Sequence, residues 1–262
     1  MSAPPAGAAG PGGGIDLDDL AGLLNREVWS KLRLKPPTGA RPLLSASLIL
    51  IDRSGAEARV LLGRRHDGDR FMPGKYVFPG GRLDPDDRRM AAAGALPGAA
   101  QARLAALAPR SPALPRALAL TAIRETFEET GLMVAERGYG APQGAPQGWA
   151  AFAAQGAYPH LEPLHFVARA TTPPRLPRRY DTIFFAADVE AVSHRVDGMV
   201  GPDRELTELV WAPVSQAYGL DLPFITRVVL RELELRLAAG MSHMLPAPWY
   251  RVGRAGWMRA QM

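Results

Sequence analysis

The chain contains 262 residues, of which 47% are hydrophobic and 22% are charged, a composition that fits one large globular domain or two small ones. It contains no cysteine, which excludes disulfides, zinc–thiolate sites and thiol nucleophiles. The formal net charge of +5 is weak evidence for a phosphate-bearing ligand, because no dense basic run accompanies it. No apolar run approaches the roughly 18 residues of a membrane span. The first residues lack the charged leader and apolar core of a signal peptide, so we expect a cytoplasmic protein.

The first 41 residues are expected to precede the main domain. Residues 1–14 are almost entirely alanine, proline and glycine, which cannot bury enough apolar surface to offset the entropy of ordering them. A disordered tail is therefore predicted there. Residues 15–41 are interpreted as a short amphipathic helix followed by a proline-rich linker.

Strand patterns recur along residues 42–240. The continuous apolar run Leu43–Ile51 predicts a buried strand, and Ala58–Arg64 is its expected hairpin partner. A short strand at Tyr76–Phe78 leads into a sharp turn at Pro79–Gly81, where two glycines permit close backbone approach to a ligand. Further strands are predicted from residue 133 and at 164–170, 182–189 and 209–214.

Helical patterns lie between and after these strands. Residues 90–115 are rich in alanine, proline, leucine and arginine, and are interpreted as an insertion with one helix near Gly98–Ala108. Pro223–Ala239 predicts a strongly amphipathic helix, and residues 241–262 are expected to be irregular. Strands and helices do not alternate in a strict βαβ order, which favours an α+β layered domain over residues 42–240.

A cluster of carboxylates marks the helix predicted at Ala122–Leu132, which ends at Gly131, the residue type favoured for a left-handed cap. Glu125, Glu128 and Glu129 fall within an arc of about 100° on one face of that helix. Their mutual repulsion costs a few tenths of a kcal/mol per pair, and a hard divalent cation would turn it into attraction. From these residues alone, a solvated charged surface is an equal alternative to a metal site.

The same stretch resembles the Nudix hydrolase box, G-x5-E-x7-R-E-U-x-E-E-x-G-U, in which U is apolar. Residues 124–132 match its second half in register, except that Thr126 stands where an aliphatic residue is usual. Gly81 and Asp87 match the first half, with aspartate in place of glutamate. The 36 residues between Asp87 and Arg124 replace the usual seven, so the box is interrupted.

A second motif points to one subgroup of that superfamily. Coenzyme A-cleaving Nudix proteins carry L-L-T-x-R-[SA]-x3-R-x3-G-x3-F-P-G-G before the box, and every spacing recurs here, with Gly63 and His66 as the two substitutions. The matching residues are Leu61, Leu62, Arg65, Arg70, Gly74, Phe78, Pro79, Gly80 and Gly81. The chain thus resembles the coenzyme A diphosphatases, whose box is split by an insertion. The resemblance implies a Nudix α/β/α sandwich with a mixed sheet, an insertion at 90–115 and a C-terminal helix.

The resemblance also implies roles for individual residues. It makes Glu125, Glu128 and Glu129 ligands of Mg²⁺ or Mn²⁺, completed by the backbone carbonyl at Gly80 or Gly81. Arg124 would orient the acidic face and pair with Asp87. A late acidic loop supplies the general base, for which Glu205 is preferred and Glu208 is second. Arg65, Arg70, Gly80 and Gly81 would contact the substrate. For Arg65 and Arg70, a solvated hairpin edge is an equal alternative, and for Glu205 and Glu208 a surface position is at least an equal one.

The sequence is compatible with three candidate functions. The first is metal-dependent hydrolysis of the diphosphate bond of coenzyme A or acyl-coenzyme A, giving 3′,5′-ADP and phosphopantetheine or its acyl form. The second is cleavage of ADP-ribose or a nucleotide sugar, which the substitutions at Gly63 and His66 leave open. The third is a Nudix-fold ligand-binding or regulatory module without catalysis, although such proteins usually lose a helix glutamate. The expected partner is a small nucleotide-containing substrate, with no nucleic acid or membrane, and a homodimer is a possible assembly.

Overall fold

The computed structural model describes residue 36 and residues 39–69, 72–253 and 256–262. The predicted tail and N-terminal helix, residues 1–32, lie outside the described residues. The strands are β1 (Leu43–Asp52), β2 (Arg59–Arg65), β3 (Tyr76–Val77), β4 (Gly80–Arg82), β5 (Leu132–Arg137), β6 (Ala157–Pro159), β7 (His165–Thr171), β8 (Tyr180–Asp188), β9 (Val192–Arg195), β10 (Leu206–Pro213), β11 (Pro248–Gly253) and β12 (Gly256–Gln261). The α-helices are α1 (Gly98–Ala105), α2 (Leu114–Thr130), α3 (Ala150–Ala154), α4 (Val214–Ala217) and α5 (Phe224–Ala238).

A mixed sheet of nine strands dominates the described part of the chain. Its order is β10-β2-β1-β8-β7-β11-β12, with β3 paired to β2 and β4 paired to β1. Strand β1 runs parallel to β8 and antiparallel to β2. Because both faces of β1 are covered, its sequence is a nearly continuous apolar run rather than an alternation of apolar and polar residues.

The two faces of β1 pack against different helices. Leu48 and Leu50 are fully buried in the core that contains the apolar side chains of α2. Ile49 and Ile51 are fully buried in the core that contains those of α5. Successive side chains of a strand point to opposite faces, which produces this division. The predicted α+β sandwich with a mixed sheet and a C-terminal helix is confirmed.

Residues 90–115 contain the predicted helix, observed as α1, and belong to the core. Met90 and Leu104 are fully buried among the apolar side chains that surround α2. The segment therefore stabilises α2 instead of projecting from it, at about 25 cal/mol for each Å² of apolar surface removed from water.

The turn predicted at Pro79–Gly81 is wrong for its two glycines, which form strand β4. Gly80 pairs opposite Ser47 and Gly81 opposite Ala46 of β1. A Cβ atom on Gly80 would lie 2.2 Å from Ser47 Oγ, so a side chain would not fit between the strands. The glycines permit the close approach that the sequence indicated, but the partner is backbone of the sheet.

The prediction that residues 241–262 are irregular is wrong for two stretches, β11 and β12, which form an antiparallel hairpin. Strand β11 also pairs in parallel with β7, so the hairpin extends the sheet at one edge. Each strand has only six residues. Pairing with a strand far away in sequence decides their conformation, and the local pattern does not reveal it.

Several short elements were also missing from the sequence interpretation. Strands β6 and β9 flank β5 in a separate three-stranded sheet, and α3 precedes β6. Among the described helices, none combines the length and the apolar character needed to cross a bilayer.

Gly131, which ends α2, provides a test of how closely the end of that helix packs against the backbone of Val196. Its φ angle is +77°, and a Cβ atom there would lie 2.0 Å from the carbonyl oxygen of Val196. Gly140 has the same φ of +77°, but no atom lies within 4 Å of the position that a Cβ would take there, so it is a matched control. In both variants, alanine must adopt a left-handed backbone conformation, which costs roughly 1–2 kcal/mol of unfolding free energy. We expect Gly131→Ala to cost a further 1–3 kcal/mol or so, the usual range for overpacking.

The measurement is urea unfolding of the two variants beside the unchanged protein. Equal losses of unfolding free energy in the two variants would contradict the close contact between Gly131 and Val196.

Candidate active site

A buried ion pair joins the two halves of the interrupted motif. Arg124 Nε donates to Asp87 Oδ1 at 2.8 Å, and Nη2 donates to Asp87 Oδ2 at 3.0 Å. Thr121 Oγ1 and the backbone N–H of Asp84 also donate to Oδ2, at 2.8 and 3.0 Å. Asp87 has no exposed surface. The four hydrogen bonds satisfy its carboxylate and offset the cost of burying the charge.

Arg124 also organises the acidic face of α2. Its Nη1 lies 2.9 Å from Glu125 Oε1 and 2.9 Å from Glu128 Oε2, while Nη2 donates to the carbonyl of Arg82 at 3.0 Å. Burial alone would lower the pKa of Arg124, but the hydrogen bond to Asp87 and the charge of Glu125 raise it above its ordinary value. The guanidinium therefore stays charged and fixes the positions of both glutamates.

The three helix glutamates lie in unequal environments. The side chain of Glu128 is 43% exposed and that of Glu125 16%. Glu129 is buried and accepts a hydrogen bond from the Gly80 N–H at 3.2 Å. Burial, then the charge of Glu128, raises the pKa of Glu125 to about 7 despite the attraction of Arg124. Burial also raises the pKa of Glu129 well above its ordinary value, and that of Glu128 above its own.

The chemistry of these carboxylates suits a hard divalent cation, although their side chains point to different partners. A Cβ atom on Gly81 would lie 2.4 Å from the carboxyl carbon of Glu125, so only glycine lets the backbone of β4 lie against that carboxylate. Crowded carboxylates with raised pKa values gain from a cation that neutralises them. In the described chain, no three acidic or histidine side chains already converge as a metal-binding group. Glu125 and Glu128 turn towards Arg124, and Glu129 towards Gly80.

Glu205, the preferred general base, lies beside this acidic face. Its negative charge is one of the causes of the raised pKa of Glu125 and of Glu129. Arg65 Nη1 lies 3.1 Å from Glu205 Oε1, and Arg65 Nη2 lies 2.7 Å from Asp69 Oδ2. The backbone carbonyl of Glu205 accepts from the His66 N–H at 3.1 Å, which fastens the acidic loop to the end of β2.

The remaining predicted residues, Arg65, Glu208 and Arg70, have different outcomes. Arg65 binds two carboxylates, so a substrate phosphate would have to compete with them. Glu208 accepts from the Tyr76 hydroxyl at 3.1 Å and is not among the described residues that line the cavity below. Arg70 lies outside the described residues.

A cavity of about 950 Å³ lies beside Arg65 and Glu125. Gly80, Gly81, Arg124, Glu125 and Glu205 line one part of it. The cavity continues across the sheet to the first turn of α5 and to β12, where its lining includes Phe224, Ile225 and Trp257. Sequence reasoning missed these three residues, because Ile225 fitted the apolar stripe of a helix and Trp257 lay in a segment expected to be irregular. The aromatic content of the last residues was the only available signal.

A solved structure shares this architecture. A NUDIX hydrolase from Alicyclobacillus acidocaldarius is 25% identical, over 77% of this chain and 97% of that one, with a TM-score of 0.53. The chain is a Nudix-type hydrolase. The NUDIX domain of Shewanella oneidensis NrtR, solved with ADP ribose, is 15% identical over 80% and 99% of the two chains, with a TM-score of 0.43. No protein-family model matches the sequence.

In this Nudix-type hydrolase, the buried ion pair between Asp87 and Arg124 joins the two separated halves of the motif. Its contribution to stability can be tested directly. Asp87→Asn keeps the size of the side chain but removes the charge that faces Arg124. We expect the unfolding free energy to fall by about 3–5 kcal/mol, the usual cost of breaking a buried pair. Asp86→Asn is the matched control, since Asp86 pairs with Arg89 at the surface, where such pairs contribute about 1 kcal/mol or less.

Chemical denaturation gives the unfolding free energy of the Asp87→Asn and Asp86→Asn variants. A loss for Asp87→Asn no larger than that for Asp86→Asn would show that the Asp87–Arg124 contact does not hold the two halves together.

Proposed function

We propose that this Nudix-type hydrolase cleaves the diphosphate bond of coenzyme A or acyl-coenzyme A, giving 3′,5′-ADP and phosphopantetheine or its acyl form. The observation that supports this proposal most strongly is a shared cavity. Arg65, Phe78, Gly80 and Gly81, from the motif typical of coenzyme A-cleaving proteins, line the same cavity as Glu125. Residues that carry the substrate resemblance and Glu125 of the acidic face therefore line one cavity, which supports a single substrate that reaches both.

The proposed reaction is attack of water on phosphorus, which forms one P–O bond and breaks the bridging P–O bond. Glu125, Glu128, Glu129 and the Gly81 carbonyl would hold Mg²⁺ or Mn²⁺, and the ion would screen the diphosphate charge and make the attacking water more acidic. Arg124 keeps the carboxylates of Glu125 and Glu128 on one side of the site.

We assign to Glu205 the role of general base, which accepts the proton of the attacking water. Arg65 binds Oε1 of Glu205, and we place proton acceptance on Oε2. The side chain of Glu205 is 54% exposed, so the proton can pass on to solvent. Arg65 acts on this step as a positioning residue, because it fixes the carboxylate that receives the proton.

The size of the cavity fits a substrate with two large halves. At about 950 Å³ it lies near the upper end of the roughly 300–1,000 Å³ common for small-molecule sites. A location in the cytoplasm, a homodimer, the domain bounds at 42 and 240 and the absence of a nucleic-acid partner stay predictions.

Replacing Glu128 by glutamine tests the assigned acidic face. Glu128 is partly exposed, and its removal leaves the Asp87–Arg124 pair intact, so the variant should fold with nearly unchanged stability. We expect Mg²⁺-dependent turnover to fall by at least about 100-fold, the scale of losing one main electrostatic group of a catalytic site. Glu162→Gln is the control, since Glu162 is 76% exposed and pairs with His160. Unchanged turnover in Glu128→Gln would refute the metal assignment.

A substrate panel tests the specificity. We expect coenzyme A and its acyl esters to give a higher kcat/KM than ADP-ribose or NADH, with 3′,5′-ADP released and identified by chromatography. Release of AMP from ADP-ribose, with coenzyme A left intact, would overturn the proposed substrate while keeping the hydrolase.

A further inference from the structure

The cavity extends well beyond the acidic face. Ser45 and Ser47 of β1 and Thr182 and Phe184 of β8 line it, on the sheet face that packs towards α5. Leu176, Phe184, Phe224, Ile225 and Trp257 line its far part, and we call these five residues the apolar lobe. They come from the β7–β8 connection, β8, the start of α5 and β12.

Four hydroxyl side chains beside the apolar lobe, those of Ser45, Thr171, Thr172 and Thr182, already bind protein groups. Ser45 Oγ and Thr182 Oγ1 lie 2.7 Å apart and share a hydrogen bond. Thr171 Oγ1 accepts from Trp249 Nε1 at 2.8 Å, and Thr172 Oγ1 accepts from the Tyr180 N–H at 3.0 Å. A nucleobase requires donors and acceptors along its edge, and these groups are engaged elsewhere. A hydrocarbon requires none, so the wall suits a hydrocarbon better than a base.

The hairpin that carries Trp257 is anchored on two sides. On the α5 side, the buried carboxylate of Glu232 accepts from Arg259 Nε at 2.8 Å and from the Tyr250 hydroxyl. On the sheet side, the Arg169 guanidinium lies 3.9 Å from the ring centre of Trp249, which adds a cation–π contact to the pairing of β11 with β7. Trp257 packs in the same core as α5. Its ring is therefore a fixed wall, of the kind that can discriminate ligands by length.

We propose that the apolar lobe binds the hydrocarbon part of the substrate, and that Trp257 and Ile225 determine how long an acyl chain is accepted. The inference rests on the proposed function, because it assigns the apolar end of an acyl-coenzyme A to the cavity whose other end holds the diphosphate. It adds a selection by chain length, made by the C-terminal hairpin and the start of α5, outside the motif that performs hydrolysis.

Steady-state kinetics on coenzyme A, butanoyl-coenzyme A and octanoyl-coenzyme A test the proposal. In the unchanged enzyme, kcat/KM should rise by about 10-fold or more from coenzyme A to octanoyl-coenzyme A, the smallest discrimination expected of a hydrophobic pocket. Trp257→Ala should reduce the ratio of the two kcat/KM values by about 10-fold, chiefly through KM for the octanoyl ester. Ile225→Ala should act in the same direction and serves if Trp257→Ala does not fold.

Met258→Ala is the matched control, because Met258 follows Trp257 in β12, is 40% exposed and is not among the described residues that line the cavity. It should keep the full preference for the octanoyl ester. Equal kcat/KM values for coenzyme A and octanoyl-coenzyme A in the unchanged enzyme would overturn the role of the apolar lobe while leaving coenzyme A hydrolysis standing. An unchanged ratio in Trp257→Ala and Ile225→Ala would overturn it as well. Hydrolysis of ADP-ribose with no coenzyme A compound cleaved would overturn both proposals.

Discussion

The buried contact between Arg124 and Asp87 is the constraint on which the site depends. One end of the guanidinium satisfies a carboxylate that has no exposure, and the other end holds Glu125 and Glu128. The same side chain therefore closes the fold and presents the acidic face. A buried charge that loses its partner costs several kcal/mol, so the arrangement has little freedom to open. The loop through β4 must then lie against α2, where Gly80 donates to Glu129.

The long interval between Asp87 and Arg124 is compatible with this contact for two physical reasons. Extending a flexible loop from seven to 36 residues adds only about 1.4 kcal/mol of closure entropy, since the cost grows with the logarithm of length. The interval is also not a flexible loop, because Met90 and Leu104 are fully buried in the core around α2. Apolar burial of that extent offsets the added entropy.

Local sequence patterns predicted the parts of the structure that local physics decides. The apolar run of β1, the amphipathic pattern of α5 and the cap at Gly131 each follow from periodicity or from a glycine with positive φ. The hairpin of β11 and β12 was missed, because pairing with β7 creates it. The pairing of Arg65 with Glu205 was missed for the same reason, since Glu205 lies far away in sequence. The apolar lobe combines four distant elements and has no local pattern.

Diffraction from crystals grown with Mn²⁺ shows, through the anomalous signal of the ion, whether β4 and the acidic face of α2 bind a divalent cation together. We expect one strong peak between β4 and α2, with carboxylate oxygens of Glu125, Glu128 and Glu129 and the Gly81 carbonyl at about 2.0–2.3 Å, the distances of hard cations from oxygen ligands. Asp87 should still bind Arg124 in that structure. A peak elsewhere, or no peak at millimolar Mn²⁺ while Glu125 and Glu128 stay bound to Arg124, would contradict a divalent-cation site between β4 and α2.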